Sequence, residues 1–256
     1  MNQFPETLKT WRKARRFSQL DLAVEADVSS RHISFLETGR AKPSRDMIAR
    51  LSDALDLPLA SRNQMLNHAG FAVQYHKRDW DDQEMALIRV AVDHMLKQHA
   101  PFPAIAVDRM WTIFKMNGPA KRLFGLLDVS EGCSMLDLLT SGTLPSFVEN
   151  WPDVAHHMAK RLRTESVAQG GVDAFDRTAD YLSAVTHYVE LPTCPVVPTI
   201  YKAGDLRLSL FSTIAQFGTA LDLTLDDLKF ELFFPADEDT KQVLFDMEGT
   251  IPSTEA

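Results

Sequence analysis

Cysteine is nearly absent. The 256 residues include only Cys133 and Cys194, which lie far apart and outside any CxxC spacing. That excludes a disulfide framework and a cysteine zinc site, and both thiols are expected to be unpaired in a reducing compartment. Long apolar runs are missing too: no stretch of about eighteen uncharged apolar residues occurs, so no membrane-spanning helix is expected. The start, Met1-Asn2-Gln3-Phe4-Pro5-Glu6, has no basic segment followed by an apolar run, and the chain is expected to be cytoplasmic. Internal repeats and low-complexity runs are absent. GxSxG, Walker A, GxGxxG and kinase signatures are also missing, so no enzyme is expected. The histidines do not make a metal site. His156 and His157 are adjacent, which on a helix points them about 100° apart. His94 and His99 also miss a common helical face, and no HExxH occurs. Neither a metal nor a cofactor is expected.

What is present describes a well-cored soluble chain, 45% apolar and 24% charged, long enough for two domains. Net charge is −8, but it is unevenly spread. Residues 1–63 hold eleven Lys/Arg and eight Asp/Glu, a net +3, which leaves −11 for residues 64–256. A contact with a polyanion is therefore expected at the basic end.

From Glu6 to about Gly70 the pattern is one of short helices and tight turns. Leu8, Trp11 and Arg15 space the first. Ser18 is placed to cap a second, Gln19 to Ala26, and Ser29 or Ser30 a third, which ends at Gly39. Ser44 can cap a fourth helix bearing Ile48, Leu51 and Leu55, and a fifth follows Pro58 around Arg62 to Ala69. Phe71 to Asp79 reads as a linker and Trp80 to Gln98 as a helix. Its apolar stripe, Met85, Ile88, Val92 and Met95, faces either its own domain or a dimer seam. From Pro101 the period changes to that of strands. Ile105 and Val107, then Trp111, Ile113 and Phe114, predict two strands joined at Asp108-Arg109. Asn117-Gly118-Pro119 opens a helix through Leu127. Residues 134–140 and 145–164 read as helices and Gln169-Gly170-Gly171 as a loop. Val196 to Lys202 and Leu206 to Ile214 read as a hairpin with a longer turn, and Lys229 to Phe234 as a last strand. The expected fold class is an all-α five-helix helix-turn-helix domain at 1–72, then a linker and connecting helix at 73–100. An α+β domain with an antiparallel sheet and helices on one side follows at 101–236, and a disordered tail at 237–256.

The segment Ser18 to Pro43 carries a specific combination. Ser18-Gln19 opens a helix with Leu22-Ala23 inside it, Val28-Ser29 forms the turn, and Ile33 and Leu36 anchor the next helix ahead of Glu37, Gly39 and Pro43. It resembles the helix-turn-helix of the phage-repressor or xenobiotic-response-element (XRE) family. It departs in having Asp27 at a turn position that is often Gly, and Asp tolerates the left-handed backbone required there. The outward residues of the third helix suit base reading. Ser30 and Ser34 offer hydroxyls, Arg31 can grip guanine in bidentate fashion, and Phe35 suits a thymine methyl. Arg16, Gln19, Arg40 and Lys42 are placed to hold phosphates. The resemblance implies a homodimer on a double-stranded DNA operator.

The later region resembles the ligand-binding domain of methylenomycin-regulator-like (MmyB-like) transcription factors, a PAS-like fold. The likeness rests on Pro103-Ala104, Val107 to Trp111, Met116-Asn117, Leu123-Phe124-Gly125, Asn150 to Ala155, Arg161-Leu162-Arg163 and the strand Lys229 to Phe234, and it is weakest between Arg163 and Val196. It implies a pocket for a fatty acid, an acyl species or a similar apolar small molecule. Phe102, Trp111, Phe114, Met116, Phe124, Met135, Leu139, Phe147, Trp151 and Met158 are its expected lining. Arg161 or Arg163 would meet a carboxylate, and Asn117 would either touch the ligand or cap its helix. A C-terminal domain used only for dimerisation or for binding a protein partner is the alternative.

Overall fold

Capping side chains set the helix boundaries at the basic end of the chain. In the computed structural model, which describes residues 3–185, 196–218 and 220–249, α1 (Phe4–Ala14) has Pro5 in its first turn, where no intrahelical bond is lost. Ser18 opens α2 (Gln19–Glu25) with a full capping box: its hydroxyl accepts from the Asp21 amide, and the Asp21 carboxylate accepts from its own. Ser29 caps α3 (Ser30–Glu37) and Ser44 caps α4 (Arg45–Ala54) in the same sense. Pro58, fixed near the φ a helix needs, precedes α5 (Leu59–His68), which starts three residues earlier than its apolar pattern suggests. Leu8, Leu22, Ile33, Leu36, Leu51 and Met65 are fully buried in one core. Each such side chain contributes about 1.5–3 kcal/mol by leaving water.

The chain divides into two compact units. One holds residues 3–78 with 164–173 and 220–226; the other holds the remaining described residues. The second unit begins with α6 (Ala86–Gln98), then β1 (Ala104–Val107), β2 (Ile113–Met116), α7 (Gly118–Gly125), α8 (Met135–Thr140) and α9 (Leu144–Phe147). After these come α10 (Trp151–Ala168), α11 (Asp173–Val185), β3 (Thr199–Ala203), β4 (Leu206–Gln216), α12 (Leu223–Asp226), β5 (Lys229–Pro235) and α13 (Glu238–Glu248), with α12 and the end of α10 counted in the first unit. The strands form a five-stranded sheet in the order β2-β1-β5-β4-β3, every pair antiparallel. Ala104, Ala106 and Phe230 pack on Val92 and Leu96 of α6. Period-2 alternation sends Glu231, Phe233, Leu210 and Ser212 to the other face, toward α7 to α10.

Several expectations are corrected. Helices cover the sheet on both faces, because α6 packs its stripe against one side. The stripe's Met85 and Val92 are buried, and Ile88 and Met95 are packed on the same cluster, so it serves its own domain. The β3–β4 turn is tight, with Ala203 paired to Leu206 and Gly204 at φ 60°. The expected helix at 145–164 is two helices. Between them Asn150 donates to the Pro198 carbonyl at 2.8 Å and accepts from the Ile200 amide at 3.0 Å, anchoring the start of α10 to β3. α11 was not foreseen, although Phe175, Ala179 and Leu182, all fully buried, have helical spacing. Of the tail expected to be disordered at 237–256, Glu238–Glu248 forms α13, capped by Asp237 and held by buried Thr240 and Leu244, and 250–256 lie outside the described residues. Cys194 lies outside the described residues.

Glu37, 8% exposed, ties the helical unit together. Its carboxylate accepts from Arg12 Nε at 2.6 Å and Nη2 at 3.0 Å, and from Gln19 Nε2 at 2.8 Å. Burial pushes this carboxyl up, but the Arg12 and Gln19 hydrogen bonds and the Arg12 and Lys9 charges outweigh it and hold the group below the ordinary value. The folded state therefore binds fewer protons here than the unfolded chain. The stabilisation is present above the unfolded-state pKa and is lost as pH falls through the folded one. Glu37→Ala strands a buried guanidinium and is expected to cost about 3 kcal/mol in urea unfolding at neutral pH. The gap from wild type should shrink in acid; a gap independent of pH would show that the pair's charge contributes nothing.

Candidate DNA-binding face and ligand cavity

The α2-turn-α3 geometry follows from the turn. Asp27 takes the left-handed backbone at φ 51°, and the Val28 amide returns to the Ala23 carbonyl at 2.9 Å. Ile33 and Leu36 face the core, which leaves Ser30 and Arg31 exposed and Ser34 and Phe35 partly exposed on the other side of α3. The Arg31 guanidinium lies 5.2 Å from the centroid of the Phe35 ring and that of Arg40 lies 6.0 Å away. The ring thus holds two cations beside a partly exposed apolar surface. Arg16, at φ 59° in the turn after α1, and Lys42, beyond Gly39, are exposed. Gln19 is half-buried, and one of the two N–H groups of its amide donates to Glu37 at 2.8 Å, which fixes the side chain at the start of α2.

In the second unit a cavity of about 130 Å³ opens between the sheet and α7 to α10. Of the expected lining it includes Trp111, Phe124, Met135, Leu139, Trp151, Met158 and Arg161. Trp111 is buried at φ 63°, a backbone conformation that a bulky side chain adopts only under strain. Asp108 stabilises this turn by accepting from the Met110 and Thr112 amides at 2.8 and 2.9 Å. The Arg161 guanidinium lies over the Trp111 ring, 4.3 Å from its centroid, and its Nη1 is 2.9 Å from Glu231 Oε1. Ser212 also donates to that oxygen, at 2.7 Å. Arg163, in contrast, faces outward and pairs with Asp180. Burial, then the charges of His156 and Lys160, hold the lining His157 below its ordinary pKa. Burial, then the Glu231 charge, pushes the Tyr201 phenol up. Both rings therefore favour the neutral form at neutral pH. A more open groove of about 440 Å³ runs elsewhere past Thr112, Asp137, Thr140 and Arg177, with a far more polar lining.

The other expected lining residues are absent from the cavity. Phe114 packs edge-on against Trp80 on the α6 side of the sheet, at 4.6 Å between centroids. Phe102 sits among His99, Phe234 and Phe245. Met116 is buried in β2 opposite Ile105, and Phe147 borders a much smaller hollow beside Leu123. Asn117 has a structural task. Its Oδ1 accepts from the Ala104 and Ala120 amides at 3.0 and 2.9 Å, and its Nδ2 donates to the Leu96 and Phe102 carbonyls at 3.1 and 2.8 Å. It caps α7 and joins that helix to α6 and β1. The sheet residues of the cavity, Thr199, Tyr201, Leu210, Ser212, Glu231 and Phe233, were missed. Their signal was alternation along three strands, but which face was enclosed depends on strand order.

The family described as MmyB-like transcription regulator ligand binding domain matches residues 88–245. The family described as Helix-turn-helix matches residues 8–61. A search of curated proteins finds no match. Because Asn117 satisfies four buried backbone groups, Asn117→Ala is expected to cost about 3 kcal/mol. A clear drop in the Tm of the full chain checks this, and an unchanged Tm would contradict the clamp.

Proposed function

Since the chain belongs to the MmyB-like transcription regulators, DNA-binding proteins with a helix-turn-helix ahead of a ligand-binding domain, we propose a sequence-specific regulator that senses a fatty acid or similar apolar small molecule. The observation that carries this is the apolar cavity in the matched domain, lined by Trp111, Phe124, Trp151 and Phe233 and closed on one side by the sheet. A five-stranded antiparallel sheet enclosing such a cavity supports the PAS-like reading. In size it compares with the roughly 150 Å³ cavity that accepts benzene in an engineered lysozyme. A compact ligand fits directly, and a longer chain requires the flexible Met135 and Met158 thioethers to swing aside. The ligand acts only through its preference for one state of the protein, so shifts of about 5- to 150-fold in operator affinity are the range expected.

On the DNA side, Arg31 with Phe35 reads bases, together with Ser30 and Ser34, while Arg16, Arg40, Lys42 and the second amide N–H of Gln19 hold phosphate. The net +3 of residues 1–63 supports this placement. A homodimer on paired half-sites is part of the proposal. It is supported by Leu87 and Val90, which are 83% and 66% exposed one turn apart on α6. The same pair favours the second reading, in which the C-terminal domain serves dimerisation alone.

Solvent extraction and mass analysis of the purified protein should recover about one apolar molecule per subunit. An empty protein that no acyl compound stabilises would favour the second reading. Arg31→Ala should weaken discrimination at one base position by about 1–3 kcal/mol in binding-site selection. Full retention of sequence preference would mean that the base-reading face lies elsewhere.

A further inference from the structure

Within the ligand-sensing reading, on which this inference rests, the polar end of the cavity restricts what kind of head group can enter. Arg161 is the one permanently charged cation among the described lining residues, and it is held by Glu231 at 2.9 Å. Glu231 in turn accepts from Ser212 at 2.7 Å, and its side chain is only 12% exposed. The remaining polar neighbours, His157, Thr199 and Tyr201, are uncharged groups. Among the described lining residues, the Arg161 and Glu231 charges therefore offset each other before any ligand arrives.

Within the proposed ligand class, we propose that this cavity selects a compact apolar ligand whose head group is uncharged and both donates and accepts hydrogen bonds, such as an alcohol, a primary amide or the protonated form of a fatty acid, over an ionised carboxylate. A hydroxyl or amide N–H can donate to the Glu231 carboxylate, and its oxygen can accept from the Arg161 guanidinium, so the existing pair stays intact. An ionised carboxylate aimed at Arg161 would stand beside Glu231, whose side chain is only 12% exposed, and like charges at close range repel. Its other route is to expel Glu231, which breaks the ion pair and the Ser212 bond together. The Arg161 that looked, from its position on the helix, like a receptor for a fatty-acid carboxylate is therefore already engaged. Glu231 acts as the gatekeeper that sets head-group charge.

The test is calorimetric titration of full-length protein, stripped of lipid, with octan-1-ol, octanamide and octanoate at pH 7.5. Octanol and octanamide are expected to bind at least about tenfold more tightly than octanoate. In Glu231→Gln the preference should collapse or reverse, since the carboxylate that would repel an anionic head group is then gone. Should that variant not fold, the wild-type ranking alone decides. Octanoate binding as tightly as the neutral pair in wild type would overturn the head-group inference while upholding the cavity as an apolar ligand site. Failure of all three compounds to bind would overturn the site reading itself, and the inference with it.

Discussion

A carboxylate taken out of water must be paired, and in the helical unit that requirement falls on Glu37. Leaving it unpaired would cost several kcal/mol, comparable to much of a small domain's net stability. Its partners come from two other helices, Arg12 on α1 and Gln19 on α2, while Glu37 itself ends α3. Three helices are thereby locked at one point. Arg12 also donates to the Phe17 carbonyl at 2.8 Å, which fixes the turn leading into α2. With the end of α3 held and Ile33 and Leu36 buried, the opposite side of that helix has one direction left to face. Arg31 and Phe35 are presented there. The pair contributes less by its net energy than by specifying which side of α3 faces solvent.

The same electrostatic rule shapes the C-terminal unit at Glu231, with a different outcome. There the ion pair is set in the wall of a cavity, Arg161 lies over Trp111, and the indole is delivered by a strained turn. The sheet divides the labour between its two faces. Small residues, Ala104 and Ala106, let α6 approach one face closely, while the alternate positions of β3, β4 and β5 line the cavity on the other. Asn117 joins these layers through four hydrogen bonds, so the residue that looked like a ligand contact instead holds the frame around the site.

The degree to which the sequence was legible varies by residue in a physically consistent way. Ser18, Ser29 and Ser44 cap the helices they were expected to cap, and Asp27 takes the turn conformation its position demanded, because each is decided within three or four residues. Alternation in Ile105 and Val107 and in Lys229 to Phe234 was enough to find strands. Seven of the twenty described lining residues were legible as well; Trp111, Phe124, Trp151 and Met158 among them are large apolar residues on the elements that surround the cavity. Phe102, Phe114 and Phe147 are equally large and equally apolar, and they pack elsewhere. Nothing in their local context separates the two groups.

What the sequence determined by itself is the part governed by short-range physics: the caps and turns, the helical and strand periods, the split of charge between the two ends, and the motif that presents Arg31. What only the tertiary structure decided is pairing across long separations: Glu37 with Arg12 and Gln19, Glu231 with Arg161, and Asn117 with the backbone of Leu96, Phe102 and Ala104. Strand order belongs to the same class, since it selects which face of β5 is enclosed. These partners lie from about a dozen to seventy residues apart along the chain. Their meeting is fixed by how apolar faces stack, and a charged or polar side chain carries no local sign of the partner it will find there.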